Sequence, residues 1–274
     1  MPESNRGRPF DDIRRALQIG PRGTAATGEG TAVRSDSGRL LRTGAPEIVY
    51  GAGKTPEQVV TALTQLIGAS GRAIASRCDP TTLTAIAVLD GDDWRVEIEP
   101  LARIAVIARP GSPVPPALGL VGIIAAGTSD LPVAREIEIV AREIGCGTRL
   151  VVDVGVAGLH RLVGPLEDLI ADGVDVLLVV AGMDGALPSV VAGLVRVPVI
   201  GVPTSTGYGL GGDGTAALMA MIQSCAPGLT VVNIDNGIGA AIAAGRLVQA
   251  IHGTVARRRE TGDQVPDTGA GSAE

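Results

Sequence analysis

The sequence predicts an α/β protein: a doubly wound parallel sheet preceded by a smaller N-terminal α+β domain. Three observations carry that expectation. Five apolar runs recur after Leu120, each followed by a helix-like segment, which is the alternation of βαβ units. The runs are continuously apolar rather than alternating, as strands covered on both faces of a parallel sheet must be. Finally, 274 residues at 45% hydrophobic content suffice for a substantial core, and with aromatics at 1% that core must be built from Ala, Val, Leu and Ile.

Taken in order, residues 1–10 and 253–274 are polar and rich in Gly, Ser, Pro or charge, so both ends are expected to be disordered. Residues 11–108 make the N-terminal α+β domain. A helix is predicted from Pro56 to Ile67, with Thr55 as N-cap and a proline at the first helical position. Strands are predicted at Arg72–Ala75, Trp94–Ile98 and Ile104–Ala108. The segment 109–118 opens with RPGSPVPP, whose four prolines mark a linker. The sheet domain spans 119–252, with strands at Val121–Ala126, Arg149–Val154, Val174–Ala181, Pro198–Val202 and Thr230–Ile234. Its helices begin near Pro132, Leu159, Ala186, Gly212 and Gly237. Ala- and Gly-rich stretches such as Ala240–Gly245 would let helices of neighbouring subunits pack closely.

A net charge of −6 and a pI near 5.1 argue against a nucleic-acid partner. The short run Arg257, Arg258, Arg259 reads as solvated surface. Three widely spaced cysteines make neither a disulfide framework nor a metal cluster. The opening MPESNRGRPF lacks a signal peptide's apolar stretch, and runs such as Val174–Ala181 are too short to span a bilayer. A cytoplasmic protein with no membrane partner is expected.

A doubly wound sheet binds its ligand where its strands end, so the loops after the strands hold the candidate residues. After the first strand, Thr128, Ser129 and Asp130 precede Pro132. One of them suffices as an N-cap, and the surplus suits an anion at a helix start. After the second, Asp153, His160 and Arg161 gather; His160 is either structural or a proton carrier, whereas His252 is expected at the surface. After the third, Asp184 is either a cap or a general acid–base. After the fourth come Thr204, Ser205, Gly207, Tyr208, Gly209 and Gly212. Their G-x-G-x-x-G match is weak, because that fingerprint belongs to the first βα turn, but glycines and hydroxyls at a helix start still make a phosphate cradle. After the fifth, Asp235 and Asn236 are caps or ribose contacts. Gly53-Lys54-Thr55 has the ending of a P-loop without its first glycine, since Ile48 stands there. Cys225 closes the fourth helix as a buried thiol, and a helix C-terminus disfavours a thiolate.

Together, RTGAPEIVYGAGKTPEQV, AGTSDLPVA, DVGVAGLHRL, VVAGMDGALPSVVAGLV, PVIGVPTSTGYG, SCAPG and VVNIDNGIGAA resemble the LarB family, over most of residues 39 to 252. These are pyridinium-3,5-biscarboxylic acid mononucleotide synthases, which begin assembly of the nickel-pincer nucleotide. The sheet domain also resembles PurE, the aminoimidazole ribonucleotide carboxylase, which implies a flavodoxin-like (PurE-like) fold and a homo-octamer. The resemblance implies carboxylation of nicotinic acid adenine dinucleotide at C5 of its pyridinium ring, with carbon dioxide or bicarbonate as co-substrate. Hydrolysis of the phosphoanhydride then releases AMP. It makes Cys225, in SCAPG, the nucleophile, with Asp184, Asp130 or His160 taking the proton. A divalent metal, magnesium, would polarise the phosphoanhydride, and Lys54 joins the substrate-binding candidates.

Two departures from the family pattern stand out. The family usually has Glu where Asp184 stands, and Leu210, Gly211, Gly212 and Asp213 replace the usual continuation of the tyrosine–glycine loop. The alternatives are a PurE-like carboxylase acting on aminoimidazole ribonucleotide, which needs no thiol, and a nucleotide-binding sensor without catalysis.

Overall fold

In a computed structural model, residues 35–261 other than Ser37 are described, in two compact units that part between Ser112 and Pro113. The disorder expected for 1–10 lies outside the described residues.

The N-terminal unit runs α1 (Arg39–Thr43), β1 (Ile48–Tyr50), α2 (Pro56–Ser70), β2 (Arg72–Ser76), α3 (Pro80–Ala87), β3 (Arg95–Glu99) and β4 (Ile104–Ala108). Its four strands lie in the order β1-β2-β4-β3, with β1 parallel to β2 and the other pairs antiparallel. Helix α2 starts as its sequence predicts: Thr55 and Gln58 form a reciprocal capping box ahead of Pro56. One face of α2 buries Val59, Leu63 and Ile67 on the sheet, where Trp94 packs at the margin of the same core. β1 and α3, absent from the sequence reading, are short elements. β1 has three residues, and α3 is held by Asp79, whose carboxylate accepts the Thr82 amide at 2.7 Å.

The second unit runs β5 (Leu120–Ala125), α4 (Leu131–Glu143), β6 (Gly147–Val152), α5 (His160–Ala171), β7 (Val176–Ala181), α6 (Leu187–Ala192), β8 (Val199–Pro203), α7 (Thr215–Ile222), β9 (Leu229–Val231) and α8 (Gly237–Thr261). The strands form one parallel sheet in the order β6-β5-β7-β8-β9. The order reverses direction after β6, so β5 and β7 flank a switch point at which a doubly wound sheet opens a crevice. This is the flavodoxin-like, PurE-like architecture. β7 is buried throughout and shares a core with Leu162, Leu166 and Leu169 of α5 and Val191 of α6. The fold class expected from the continuously apolar strands is therefore present.

Three details differ from expectation. Helix α8 continues to Thr261, past the boundary drawn at 252, because its sequence stays free of Gly and Pro after Gly253. The small residues of Ala240–Gly245 are used within the chain: Ala240, Ala241 and Ala244 are buried, and a Cβ on Gly245 would come within 2.4 Å of Ile144 on the turn after α4. His252 is half-buried rather than a free surface residue. Its Nε2 lies 3.0 Å from both carboxylate oxygens of Asp175, which also accepts the Leu120 amide at 2.8 Å. That pair ties α8 to the amino ends of β5 and β7.

Candidate active site

The carboxyl ends of β5 to β8 open onto a cleft of about 730 Å³, within the size range of small-molecule sites. Ser129 and Asp130 line it from the loop after β5, Val156 and Ala157 from the loop after β6, Met183 and Asp184 from that after β7, and Thr206, Gly207 and Tyr208 from that after β8. The loops are stitched together by backbone. The Met183 amide donates to the Thr206 carbonyl at 2.7 Å, and the Thr206 hydroxyl donates to the Ser129 carbonyl at 3.2 Å. Such proximity leaves no space for side chains at two positions. A Cβ on Gly182 would lie 2.3 Å from the Thr206 carbonyl oxygen and 2.6 Å from the Thr204 hydroxyl, and one on Gly155 3.0 Å from the Ala126 carbonyl oxygen.

Three loops at this end of the sheet hold a non-glycine residue in the left-handed region: Asp153 after β6 at φ 63°, Met183 after β7 at 51° and Asp235 after β9 at 55°. Strain of this kind persists only where its surroundings over-determine it, and it concentrates at functional sites. All three follow strands, on the side where the cleft lies.

Asp130 is the floor of the cleft. It is buried at 4% exposure, its Oδ1 accepts the Thr204 hydroxyl at 2.6 Å and its Oδ2 accepts the Gly127 amide at 2.9 Å. Burial raises its carboxyl above the ordinary value, the Thr204 hydroxyl and the Gly127 and Gly182 amides oppose that, and the neighbouring Asp235 adds to it. A carboxyl held in this way is suited to proton exchange. Asp235 is itself anchored, donating its amide to the Pro203 carbonyl at 2.8 Å and accepting the Ser205 amide at 2.9 Å. Asp184 stands at the exposed rim, where its carboxylate accepts the local Ala186 amide at 3.3 Å.

Residues 120–264 match the AIR carboxylase family, and residues 28–109 match the LarB/PurE-like N-terminal domain. An uncharacterized protein of Methanocaldococcus jannaschii is 40% identical over 222 residues, 80% of this chain and 85% of its own length. The chain belongs to the LarB branch of the AIR carboxylase family. The N5-carboxyaminoimidazole ribonucleotide mutase of M. jannaschii is 35% identical over 128 residues, 46% of this chain and 76% of the mutase. Treponema denticola PurE superposes at a TM-score of 0.37 with 19% identity, covering 53% of this chain and 96% of that one. This is a family of carboxylase and mutase enzymes, and the match falls on the unit that carries the cleft.

The other sequence candidates of this LarB-branch chain are placed less centrally. Thr128 is exposed on the single 3₁₀ turn that carries Ser129 and Asp130. His160 is exposed as the first residue of α5, and Arg161 is turned onto Asp153, donating to its carbonyl at 2.6 Å and its carboxylate at 2.7 Å. Asn236 caps α8 by accepting the Gly239 amide at 2.9 Å. Gly209, at φ 65°, opens the turn that leads away from Tyr208. Lys54 belongs to the N-terminal unit, where its Nζ donates to the Tyr50 carbonyl at 2.7 Å.

Cys225 departs most from expectation. It is exposed rather than buried, because α7 ends at Ile222 and the thiol sits on the loop that follows. That loop leads into the amino end of β9, whose Leu229 pairs with Val199, the first residue of β8. The cleft lies past the last residue of β8. With about 3.3 Å of rise per residue, the length of β8 alone separates the two ends of the sheet by roughly 15 Å. Within one chain, therefore, the thiol and the cleft occupy opposite ends. Sequence reasoning passed over Thr206, Val156 and Met183; the left-handed turn at Met183 has no residue-type signal, since glycine or asparagine would normally announce it.

For a magnesium ion, the donor set is the test. Among the described residues no three His, Cys, Asp or Glu side chains converge as metal ligands. The described residues thus form no metal cage. Among the described residues, too, no helix is long and apolar enough to cross a membrane.

Proposed function

We propose that the protein carboxylates C5 of the pyridinium ring of nicotinic acid adenine dinucleotide and hydrolyses its phosphoanhydride. The products are pyridinium-3,5-biscarboxylic acid mononucleotide and AMP. The observation that carries this reading is the exposed Cys225 thiol in a chain with a LarB/PurE-like N-terminal unit. Carboxylation of an imidazole ring needs no thiol, whereas carboxylation of an electron-poor pyridinium does.

The Cys225 thiolate adds to C4 of the ring, giving a dihydropyridine whose C5 is an enamine carbon. C5 attacks carbon dioxide, and the new carbon–carbon bond leaves C5 tetrahedral. Asp130 accepts the C5 proton, and expulsion of the thiolate restores the aromatic cation. Covalent catalysis here divides one hard step into easier ones. Asp130 is favoured over Asp184 and His160 because it is buried on the cleft floor, whereas the other two are exposed.

Since thiol and cleft lie at opposite ends of one sheet, the thiol that serves a cleft comes from a second copy of the chain. Apolar residues surround both parts: Met219 and Ile222 on α7 before Cys225, and Tyr208 and Leu210 at the cleft mouth, are all exposed. A homo-oligomer of shared sites is the assembly this reading calls for, and the resemblance to PurE makes it a homo-octamer. Co-expression of Cys225→Ser with Asp130→Asn tests it. Each variant alone should be inactive, while mixed oligomers should recover activity in sites that draw an intact thiol and an intact carboxylate from different chains. No recovery in verified mixed oligomers would refute sharing.

A second reading, a PurE-like enzyme acting on aminoimidazole ribonucleotide, is favoured by the likeness to the mutases. Incubation with labelled bicarbonate and each nucleotide separates the two. Label entering the imidazole, with Cys225→Ser fully active, would select the second.

A further inference from the structure

We propose that Glu136, a buried carboxylate on α4, is a positioning residue for the reaction: seated against Gly237, the first residue of α8, it sets the separation of Asp130 and Asp235. Its role rests on the reading of Asp130 as the proton acceptor. Glu136 is 2% exposed, on a helix whose other buried residues are all apolar. Enclosing a carboxylate costs free energy that its surroundings must offset. α8 supplies part of the offset, because the amino end of a 25-residue helix carries partial positive charge.

The contact is direct. A Cβ on Gly237 would come within 2.5 Å of Glu136 Oε2 and 3.0 Å of the Val133 carbonyl oxygen, so the carboxylate occupies space that any larger residue would need. At the other end of the pair, Gly245 of α8 faces Ile144, on the turn that closes α4. The two contacts are eight residues apart on each helix, so α4 and α8 run parallel and in step over about 12 Å. The Ile144 contact is apolar and packs as core residues do. The Glu136 contact is charged and lies at the end where the cleft opens.

The two helices carry the carboxylates of the site. Asp130 stands immediately before α4, and Asp235 stands two residues before α8. The Gly237 amide donates to the Asp235 carbonyl at 3.1 Å, which passes the place of Gly237 on to Asp235. Asp235 also receives the Ser205 amide at 2.9 Å. Burial first, and then the negative charge of Asp235, raise the Asp130 carboxyl, against the Thr204 hydroxyl and the Gly127 and Gly182 amides. A displaced α8 would therefore change the proton affinity of the acceptor as well as the geometry beside it.

Two measurements on the full chain follow Asp130. One is the pH profile of kcat/KM for carboxylation. The other needs no activity: it is the pH dependence of the Tm difference between each variant and the same variant carrying Asp130→Asn. Glu136→Ala removes the contact, and Gly237→Ala crowds it from α8. Both displace the start of α8, and both should move the Asp130 titration to lower pH by withdrawing Asp235. Glu136→Gln, which keeps the shape, should recover most of the wild-type profile. Ile144→Ala, at the apolar contact, should lower the Tm and leave the titration in place. An unmoved titration in folded Glu136→Ala, or in Gly237→Ala should the first variant not fold, would overturn the proposal. So would an equal shift in Ile144→Ala, since any loosening of the helix pair would then suffice. Absence of carboxylation beside a shifted Tm difference would sink the proposed reaction while supporting the placement of Asp235 by Glu136.

Discussion

The Thr204 hydroxyl donates to the Asp130 carboxylate over 2.6 Å in the buried floor of the cleft, and this bond joins the loop after β8 to the loop after β5. It orients a carboxylate that burial would otherwise leave without an obvious direction of proton transfer. Asp130→Asn should therefore lower turnover by roughly the 10²–10⁴-fold typical of general-base loss. Asp184→Asn, at the rim, should cost less. Steady-state rates of the two variants decide the order, and a larger loss in Asp184→Asn would move the base to the rim.

The raised carboxyl of Asp130 gives a pH dependence with a definite sign. A group that binds its proton more tightly in the folded state stabilises fully below its unfolded value, here 3.8, and that contribution is lost as pH rises through the higher folded value. The Tm of the wild type should thus decline relative to Asp130→Asn as pH climbs from acid toward neutrality. A widening gap in favour of the wild type over the same range would contradict the burial argument.

Gly182→Ala should disturb the cleft, because its Cβ would press on the Thr206 carbonyl oxygen at 2.3 Å and the Thr204 hydroxyl at 2.6 Å. Overpacking of this kind costs about 1–3 kcal/mol. Chemical denaturation should register that loss, and activity should fall with it. Gly164→Ala, where a Cβ meets nothing, serves as the control.

The three thiols should separate cleanly in alkylation. Burial pushes Cys78 and Cys146 up to about 11, and both are enclosed, whereas Cys225 is exposed. Peptide mapping after brief treatment with iodoacetamide at neutral pH should find label on Cys225 alone, with the other two labelled only after unfolding. Early modification of Cys146 would mean that the sheet opens at its amino end.

Much of this was legible in the residues. The five strands of the sheet announced themselves because β7 and its neighbours are apolar throughout, and Thr55 with Gln58 spelled out the start of α2. The glycine-rich loops located the cleft, since the chain direction of a parallel sheet fixes which end binds. What stayed hidden depends on three-dimensional placement. Ser129 and Asp130 look alike as cap candidates, yet one is exposed and the other is buried under Thr204. Arg161 reads as a free cation until it meets Asp153. Cys225 looks like a core thiol because its neighbours on α7 are apolar, but helix termination at Ile222 carries it out into solvent. β1, with three residues, is too short to show a period.

Trp94 is the chain's single tryptophan, and it packs on the core of the N-terminal unit. Indole fluorescence is therefore a private optical channel for that unit, silent about the parallel sheet. Far-ultraviolet circular dichroism, by contrast, is dominated by the helices and strands of the larger unit. Followed together through a denaturant series, the two signals would show whether the halves melt as one cooperative body or in sequence. A ligand that shifts the indole transition alone would be bound by the smaller half.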